Sequence, residues 1–450
     1  MKTKKEVPTT VKGMRDIYGD DYYRLEGFME KASEIAMYYG FTPIETPILE
    51  NIEVFTSGVG EGTDIVDKEM YELKTKGGHH LVLRPEGTAA IMRSYIENGM
   101  QSWPHPVMLY YKGPLFRHES PQRGRYRQFY TFGLEALGSS KSIMDATIIH
   151  TTVTILHEAG IKNLCVEINS IGSKESREKY TKELISYYRK HLNEMPPDAQ
   201  KRLKKNPLRL LDSKDLRMQV LNQNAPDPLG SLLPADRQHF KEVLEYLEML
   251  EIPYRINNHL VRGLDYYSRT VFEVFDEDDS ETASDTTEEK ESAESKGKET
   301  SESREPKIAL AAGGRYDYLA DSLGHKKSVP GVGAGIGVDR ILGLEAAKKL
   351  TPRIVKKPKV FFIQLGFEAK LKSLKIIEIL RKAKIPIMQT LNKDSLSAQL
   401  GLAEKLEIPY TIIFGQKECM EDNVLVRNMQ NHSQDTIKIE NLREHLKTLK

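Results

Sequence analysis

Between Tyr110 and Gly138 the chain reads YYKGPLFRHESPQRGRYRQFYTFGLEALG, a concentration of side chains suited to phosphate and to a flat ring. Arg117 follows an apolar strand pattern that ends Phe116-Arg117-His118-Glu119. Arg123, Arg125 and Arg127 crowd the segment from Ser120 to Arg127, where Gly124 permits a turn, and a second strand pattern starts at Gln128. Alternate side chains of a strand face opposite sides. Phe129, Thr131, Gly133 and Glu135 therefore share one face, and Tyr130, Phe132, Leu134 and Ala136 share the other. The second set is apolar and should pack on a core. The first set offers an aromatic plate, a hydroxyl, a gap and a carboxylate, which suits a wet site. Arginine forks match phosphate oxygens. The chemistry implied is a nucleotide lying on Phe129, its phosphates gripped by arginines including Arg117. Glu135 is left free to hold a small cation such as an amino group. A solvated amphipathic hairpin fits these residues equally well.

Three further stretches carry related chemistry. In VPGVGAGIGVDRILGLEAA, Gly331, Gly333, Gly335 and Gly337 fall on one strand face, with Val332, Ala334, Ile336 and Val338 on the other. Glycine weakens a strand interior, so four on one face point to close approach of something flat, such as a nucleoside. Asp339-Arg340 then starts a helix. No G-x-G-x-x-G or G-x-x-x-x-G-K-[ST] run is present, so neither the dinucleotide nor the phosphate-loop mechanism is implied. In Pro85-Glu86-Gly87 a strand breaks, Thr88 is placed to cap the helix Ala89 to Glu97, and Glu86 sits at a strand-to-helix turn of the kind that faces clefts or plain surface. LVRGLDYYSRTVFEVF, Leu260 to Phe275, reads as strand, with Arg262 and Asp265 beside Tyr266 and Tyr267. A cation next to a tyrosine pair can bind a phosphate and a polar ring together; structural tyrosines with an exposed arginine are the alternative.

The elements that must position these residues follow from periodicity. Leu25, Phe28, Ala32, Ile35, Ala36 and Tyr39 mark a helix over Tyr22 to Tyr39 that Gly40 ends. Phe41 to Ile48 is extended, because two prolines bar a helix. Leu73 to Arg84 reads as a hairpin turning at Gly77-Gly78, and Lys162 to Ile168 as a strand. Ser173 to Leu250 is mostly helical and reads as an inserted module without a catalytic constellation. Its Lys201, Arg202, Lys204 and Lys205 suit a phosphate backbone or a solvated face. After Pro358, strands alternate with helices (VFFIQL, IPIMQT and YTIIFG being the strands), the pattern of a small, largely parallel α/β domain with a binding role.

Composition narrows the class. A length of 450 residues allows roughly two to four domains. No apolar run approaches the ~20 residues of a membrane span and the polar start MKTKKEVPTT, expected to fray, is no signal peptide, so the expected location is cytoplasmic. The 2 cysteines, Cys165 and Cys419, are too few for a disulfide framework and fit a reducing compartment, Cys165 as core packing. The net charge of +1 hides a segment, Asp276 to Glu305, with 13 acids and 4 bases, which leaves +10 for the remainder. That segment has alanine as its one apolar type and is expected to be a disordered loop between two strands. Thr351 to Lys450 has 18 bases and 11 acids, a hint of a polyanionic partner.

Four stretches converge on one family: the chain resembles the class II aminoacyl-tRNA synthetases, and among them the histidyl-tRNA synthetases. The helix and extended segment ending at Pro47 resemble the first class motif, which builds a dimer interface; FRHE with its arginine loop and QFYTFGLE resemble the second; GVGAGIGVDR resembles the third. RPEGT (Arg84 to Thr88), VRGLDYY (Val261 to Tyr267) and AGGRYD (Ala312 to Asp317) are similar to histidine-specific signatures, and QLGLAEKLEIPY resembles the family's anticodon-binding domain. The resemblance implies an α+β fold, an antiparallel sheet core flanked by helices, with a helical insertion and a C-terminal α/β anticodon-binding domain. The corresponding bounds are 1–172 and 251–350 for the core, 173–250 for the insertion and 351–450 for the tail. It implies a homodimer that joins L-histidine to tRNA(His) through histidyl-adenylate, releasing pyrophosphate from ATP. Phe129 would stack on adenine, Arg117 would hold the α-phosphate and Arg340 the far end of the triphosphate, with Arg125 and Gly335 also at the nucleotide. Arg262 would stabilise charge as the carboxylate attacks. Glu86, Gly87, Thr88, Thr131 and Glu135 would hold the amino acid, and Tyr266 and Tyr267 would line the imidazole pocket. Mg2+ would bridge phosphates without direct side-chain ligation.

Two positions depart from the family pattern. Thr131 stands where a glutamine is usual near the substrate amino group, and Asp339 replaces the usual glutamate before Arg340. The acidic segment is not a feature of the family. The rival reading is a non-catalytic, synthetase-like regulatory paralogue of histidine biosynthesis. Such relatives lose the arginine stretch and usually the tail, and both are present here.

Overall fold

The computed structural model describes residues 7–60, 63–120, 124–213, 215–278, 308–353, 358–390 and 393–449. The expectations for Arg123, for the frayed start (1–6) and for most of the acidic segment (279–305) lie outside those residues, as does the side chain of Lys205. The chain forms two compact units, Met1–Pro352 and Arg353–Lys450.

The first unit is built on an eight-stranded sheet whose neighbours run Thr42–Pro43, Val107–Phe116, Gln128–Leu137, Gly331–Gly337, Ala311–Arg315, Ser268–Asp276, Leu164–Ser170 and Tyr254–Ile256. Every inner pairing is antiparallel and only the two edge strands run parallel to their neighbours. This matches the expected α+β architecture. The apolar alternation places Phe132, Leu134 and Ala136 with Val332, Ala334 and Ile336 in the main core. The helices Asp20–Tyr38, Ser142–Glu158 and Pro234–Met249 close that face through Phe28, Ile149 and Val243. Asp20 and Asp21 sit at the positive end of the first helix, and Gly40, at φ 88°, turns the chain just past its end. The opposite sheet face, which carries Phe129 and Thr131, is left for the site.

Two local expectations need correction. The strand predicted from Leu260 begins only at Ser268, and residues 261–267 form a turn. Their backbone groups are committed elsewhere: the Asp265 amide donates to the Val59 carbonyl, and Arg177 donates to the carbonyls of Asp265 and Tyr267. A ladder has no groups left to pair with. The helix Thr88–Glu97 is capped by Glu86 rather than Thr88. The Glu86 carboxylate accepts from the amides of Thr88 and Ala89, both at 2.8 Å. Glu86 has the longer reach, and it frees the Thr88 hydroxyl for the site.

The second unit has a five-stranded sheet in the order Ile387–Gln389, Val360–Gln364, Tyr410–Phe414, Asn423–Asn428 and Gln434–Lys438. Its first three strands are parallel and the last two antiparallel, so it is mixed rather than largely parallel. A short helix, Gln416–Glu421, adds to the expected set.

Beneath the site strands lies a buried ionic group. Arg315, 0% exposed, donates to Asp145, at 3.1 Å to Asp317 and at 2.9 Å to the Ser139 carbonyl. Burial pushes the Asp145 carboxyl up, but Arg315 and His239 outweigh it and hold it at about 2. Asp145→Ala strips the buried guanidinium of its buried carboxylate partner, leaving it Asp317, and should cost about 3 kcal/mol, read as the shift in a denaturant midpoint. With its folded pKa depressed, Asp145 contributes stability that is present above about pH 3.8 and lost as pH falls toward about 2, so the variant should lack that acid-labile component.

Candidate active site

A cavity of about 200 Å³ opens on the free face of the sheet. Glu86, Thr88, Arg117, Arg125, Phe129, Thr131, Arg262, Tyr266, Tyr267, Gly335 and Arg340 all line it, although they come from segments far apart in the chain. Gly87 and Glu135 do not line it. Gly87 is packed beneath the Tyr111 ring, and Glu135 is fully buried behind Thr88.

The arginines are held by different means. Arg117 donates from Nε to the Pro85 carbonyl at 2.9 Å, and its guanidinium lies 5.4 Å from the centre of the Phe129 ring. Arg262 is ion-paired with Glu273 and lies 6.0 Å from the Tyr267 ring centre. Burial pushes the Arg262 pKa down, but Glu273 and Tyr267 more than offset that, so its charge is secure. Arg340 donates to the Ala309 carbonyl; burial first, then the neighbouring Arg125, push it down to about 10. A guanidinium destabilised by burial and like charge gains most from an arriving anion.

The loop that carries Arg125 is tied to the N-terminal segment. The Arg127 amide donates to the Gly13 carbonyl at 2.8 Å, and its side chain to the Lys12 carbonyl at 3.3 Å. Arg15 lies 4.2 Å from the centre of the Tyr126 ring and donates to Asp339 at 2.7 Å. The other Asp339 oxygen accepts from the Tyr130 amide at 2.6 Å. Aspartate is therefore long enough to anchor the start of the helix that carries Arg340.

The end of the cavity near Glu86 and Thr88 differs from the sequence-based picture. Glu135 is neither wet nor free. Its carboxylate accepts from the Thr88 hydroxyl at 2.6 Å and from the Tyr316 hydroxyl. Burial pushes its pKa up to about 8, with those hydroxyls pulling the other way and Glu86 adding to the rise. Glu86 is raised too, by burial against the two helix amides. Tyr266 donates to Glu86 at 3.3 Å, and its ring centre is 4.8 Å from that of Tyr267. Thr131 is 6% exposed and faces Gly335 across the strand pair.

The glycine face is only partly bare. A Cβ on Gly331 would overlap the Tyr316 ring, and one on Gly333 would overlap the Glu135 carboxylate. Only at Gly335 and Gly337 does open backbone meet the cavity. Sequence reasoning missed Tyr111, Tyr316 and Glu273. Tyr111 stands directly across from Gly133 in the sheet, and its ring fills the space that both Gly133 and Gly87 leave. An aromatic residue paired with a glycine was the available signal, but it needs the register to be seen.

An antiparallel sheet with arginines converging on an aromatic plate above a glycine strand is the core of a class II aminoacyl-tRNA synthetase. The sequence model of the histidyl-tRNA synthetase family matches residues 13–284, and that of an anticodon-binding domain matches residues 359–449. The chain belongs to the histidyl-tRNA synthetase family. It is 38% identical to a histidine–tRNA ligase of Dehalococcoides mccartyi over 431 residues, 96% of this chain and 97% of that one. A ligase of the same name from Fervidobacterium nodosum is 39% identical over 94% of each chain. The apo crystal structure of S. aureus histidyl-tRNA synthetase superposes with a TM-score of 0.76 at 29% identity, covering 98% of this chain and 100% of that one. A Bacillus halodurans structure titled as an ATP phosphoribosyltransferase regulatory subunit/histidyl-tRNA synthetase shares the fold, with a TM-score of 0.59 at 18% identity.

The dry carboxylate has a measurable signature. Its folded pKa is raised, so Glu135 contributes stability that is present below about pH 4.5 and lost as pH rises through about 8. Glu135→Gln should flatten that fall: between pH 5 and pH 8.5 the unfolding free energies of the ligand-free proteins should converge or cross, by up to about 4 kcal/mol. Parallel curves would show that Glu135 is ionised throughout.

Proposed function

We propose that this protein is a histidine–tRNA ligase that forms histidyl-adenylate from L-histidine and ATP and then esterifies the 3′-end of tRNA(His). The observation that carries the reading is the convergence of Arg117, Arg262 and Arg340 with Phe129 on one cavity, in a chain alike over nearly its whole length to histidine–tRNA ligases.

In this reading adenine stacks on Phe129, beside the open backbone of Gly335. Arg117 grips the α-phosphate, and Arg125 and Arg340 take the distal phosphates. The amino-acid carboxylate attacks the α-phosphorus, a new P–O bond forms, and pyrophosphate leaves with the electrons of the broken bond. Arg262, charged and fixed by Glu273, faces the negative charge that grows on the phosphoryl oxygens. Glu86 takes the substrate ammonium with Thr88 and Thr131, and a water spans the shorter reach of the threonine. Glu135 acts from behind, through the Thr88 hydroxyl. Tyr266 and Tyr267 wall the imidazole. Magnesium bound to the nucleotide would neutralise phosphate charge, and Glu119, which lines the cavity beside Arg125, would hold it through its waters. A terminal ribose hydroxyl of tRNA then displaces AMP, and the basic unit Arg353–Lys450 reads the anticodon.

We also propose a homodimer in the cytoplasm. Support for the dimer comes from Ile48 and Leu49, 42% and 45% exposed beside Pro47; sedimentation should show twice the chain mass. No helix among the described residues is long and apolar enough to cross a membrane. Support for catalysis over a regulatory role comes from the intact Arg262 turn and the tail unit.

Amino-acid-dependent ATP–pyrophosphate exchange tests the reading directly: exchange should require histidine, and dependence on another amino acid would overturn it. Arg262→Ala should slow exchange by about a hundredfold or more, the scale of losing one preorganised donor. Removing residues 351–450 should damage tRNA charging far more than exchange, and equal damage would show that the tail is no separate recognition unit.

A further inference from the structure

The turn 261–267 supplies three cavity residues, Arg262, Tyr266 and Tyr267, yet it belongs to no sheet ladder. What keeps it in place comes largely from the helical insertion. Arg209 donates from Nη2 to the Gly263 carbonyl at 2.6 Å, one residue beyond Arg262. Asn206 donates from Nδ2 to the Asp265 carboxylate at 2.8 Å. Arg177 holds the far end through the Asp265 and Tyr267 carbonyls at 2.9 and 3.3 Å. From outside the insertion, the Asp265 amide donates at 3.1 Å to the carbonyl of Val59, the last residue of the helix Ile52–Val59.

Asn206 and Arg209 are themselves well fixed. Asn206 immediately precedes the short 3₁₀ turn Pro207–Leu210 and Arg209 lies within it, and the turn's Leu208 and Leu210 are 6% and 1% exposed. The Asn206 amide closes the helix Pro197–Lys205 on the Arg202 carbonyl. Arg262 has less support of its own. Its Nε is buried without a hydrogen-bond partner among the described residues, and Glu273 grips only the tip. The direction of its guanidinium therefore follows the backbone of the turn.

Building on the reaction proposed above, we infer that Asn206 and Arg209 are positioning residues for Arg262: they set the turn, and the turn aims the guanidinium at the reacting phosphate. Neither touches the cavity. A displacement of about 1 Å at a reacting centre costs up to about a hundredfold in rate, so loss of one of these clamps should be felt in turnover.

The test is histidine-dependent ATP–pyrophosphate exchange on the full chain, without tRNA. Arg209→Ala should lower kcat about tenfold or more, with the KM for ATP nearly unchanged and the melting temperature preserved. Arg209→Lys, which can still donate to Gly263, should recover most of the loss. Asn206→Asp, which sets a carboxylate against Asp265, should lower kcat as Arg209→Ala does. The decisive measurement is the double variant. Because Arg209 acts through Arg262, adding Arg209→Ala to Arg262→Ala should cause no further loss. A wild-type kcat in Arg209→Ala, or losses that multiply in the double variant, would overturn the inference. Absence of histidine-dependent exchange in the unaltered protein would instead overturn the proposed reaction.

Discussion

The site depends on backbone that carries no side chains. Tyr111 lies flat against Gly133 and Gly87, and Glu135 presses on Gly333. Any Cβ at those positions would overlap an aromatic ring or a carboxylate. The sheet thereby gains a second layer made of its own polar and aromatic side chains, packed close enough to exclude water. That layer is what raises Glu135 and Glu86 and keeps the tyrosines neutral. Burial pushes the Tyr111, Tyr266 and Tyr316 hydroxyls well above their ordinary range. A cationic substrate group then meets acceptors that water does not screen.

The anion end follows the opposite logic. Arg117, Arg125, Arg262 and Arg340 line one small cavity, and like charges so placed repel. Each is held by something that does not cancel it fully: a carbonyl for Arg117 and Arg340, a carboxylate to the side for Arg125 and Arg262. An anion entering the cavity would relieve that repulsion, so part of the cost of assembling the site would be recovered on binding. The same geometry explains why the positive groups come from three separate segments: one hairpin, the turn 261–267 and the helix Val338–Leu342. No single loop could hold so many without opening into solvent.

Much of this was legible in the linear sequence, because period-two alternation survives in both central strands. Phe132, Leu134 and Ala136 pack inward as the pattern requires, and Phe129 and Thr131 face the cavity. What was not legible depended on register or on distant partners. The glycine face looked like space for a ligand, yet half of it is filled by Tyr316 and Glu135, a fact that needs the pairing of Gly333 with Glu135. Glu135 looked solvated because nothing in QFYTFGLE announces the Thr88 and Tyr316 hydroxyls that enclose it. Residues 261–267 looked like strand because Val261, Leu264, Tyr266 and Tyr267 lead into the β-branched and aromatic run that follows, while the bonds that bend them come from Arg177 and Val59. Arg262 was legible as a cation beside tyrosines, but its pairing with Glu273 was not, since a continuous strand would have held the two apart and only the turn at 261–267 brings them together.

The ties from Arg127 to Lys12 and Gly13, and from Arg15 to Asp339, place residues 12–15 against the rim of the arginine-lined cavity. A purification handle or fusion partner added upstream of Lys12 would enter the fold beside the loop that carries Arg125. Kinetic work on the protein is therefore better served by a handle at the opposite terminus or by one cleaved away completely.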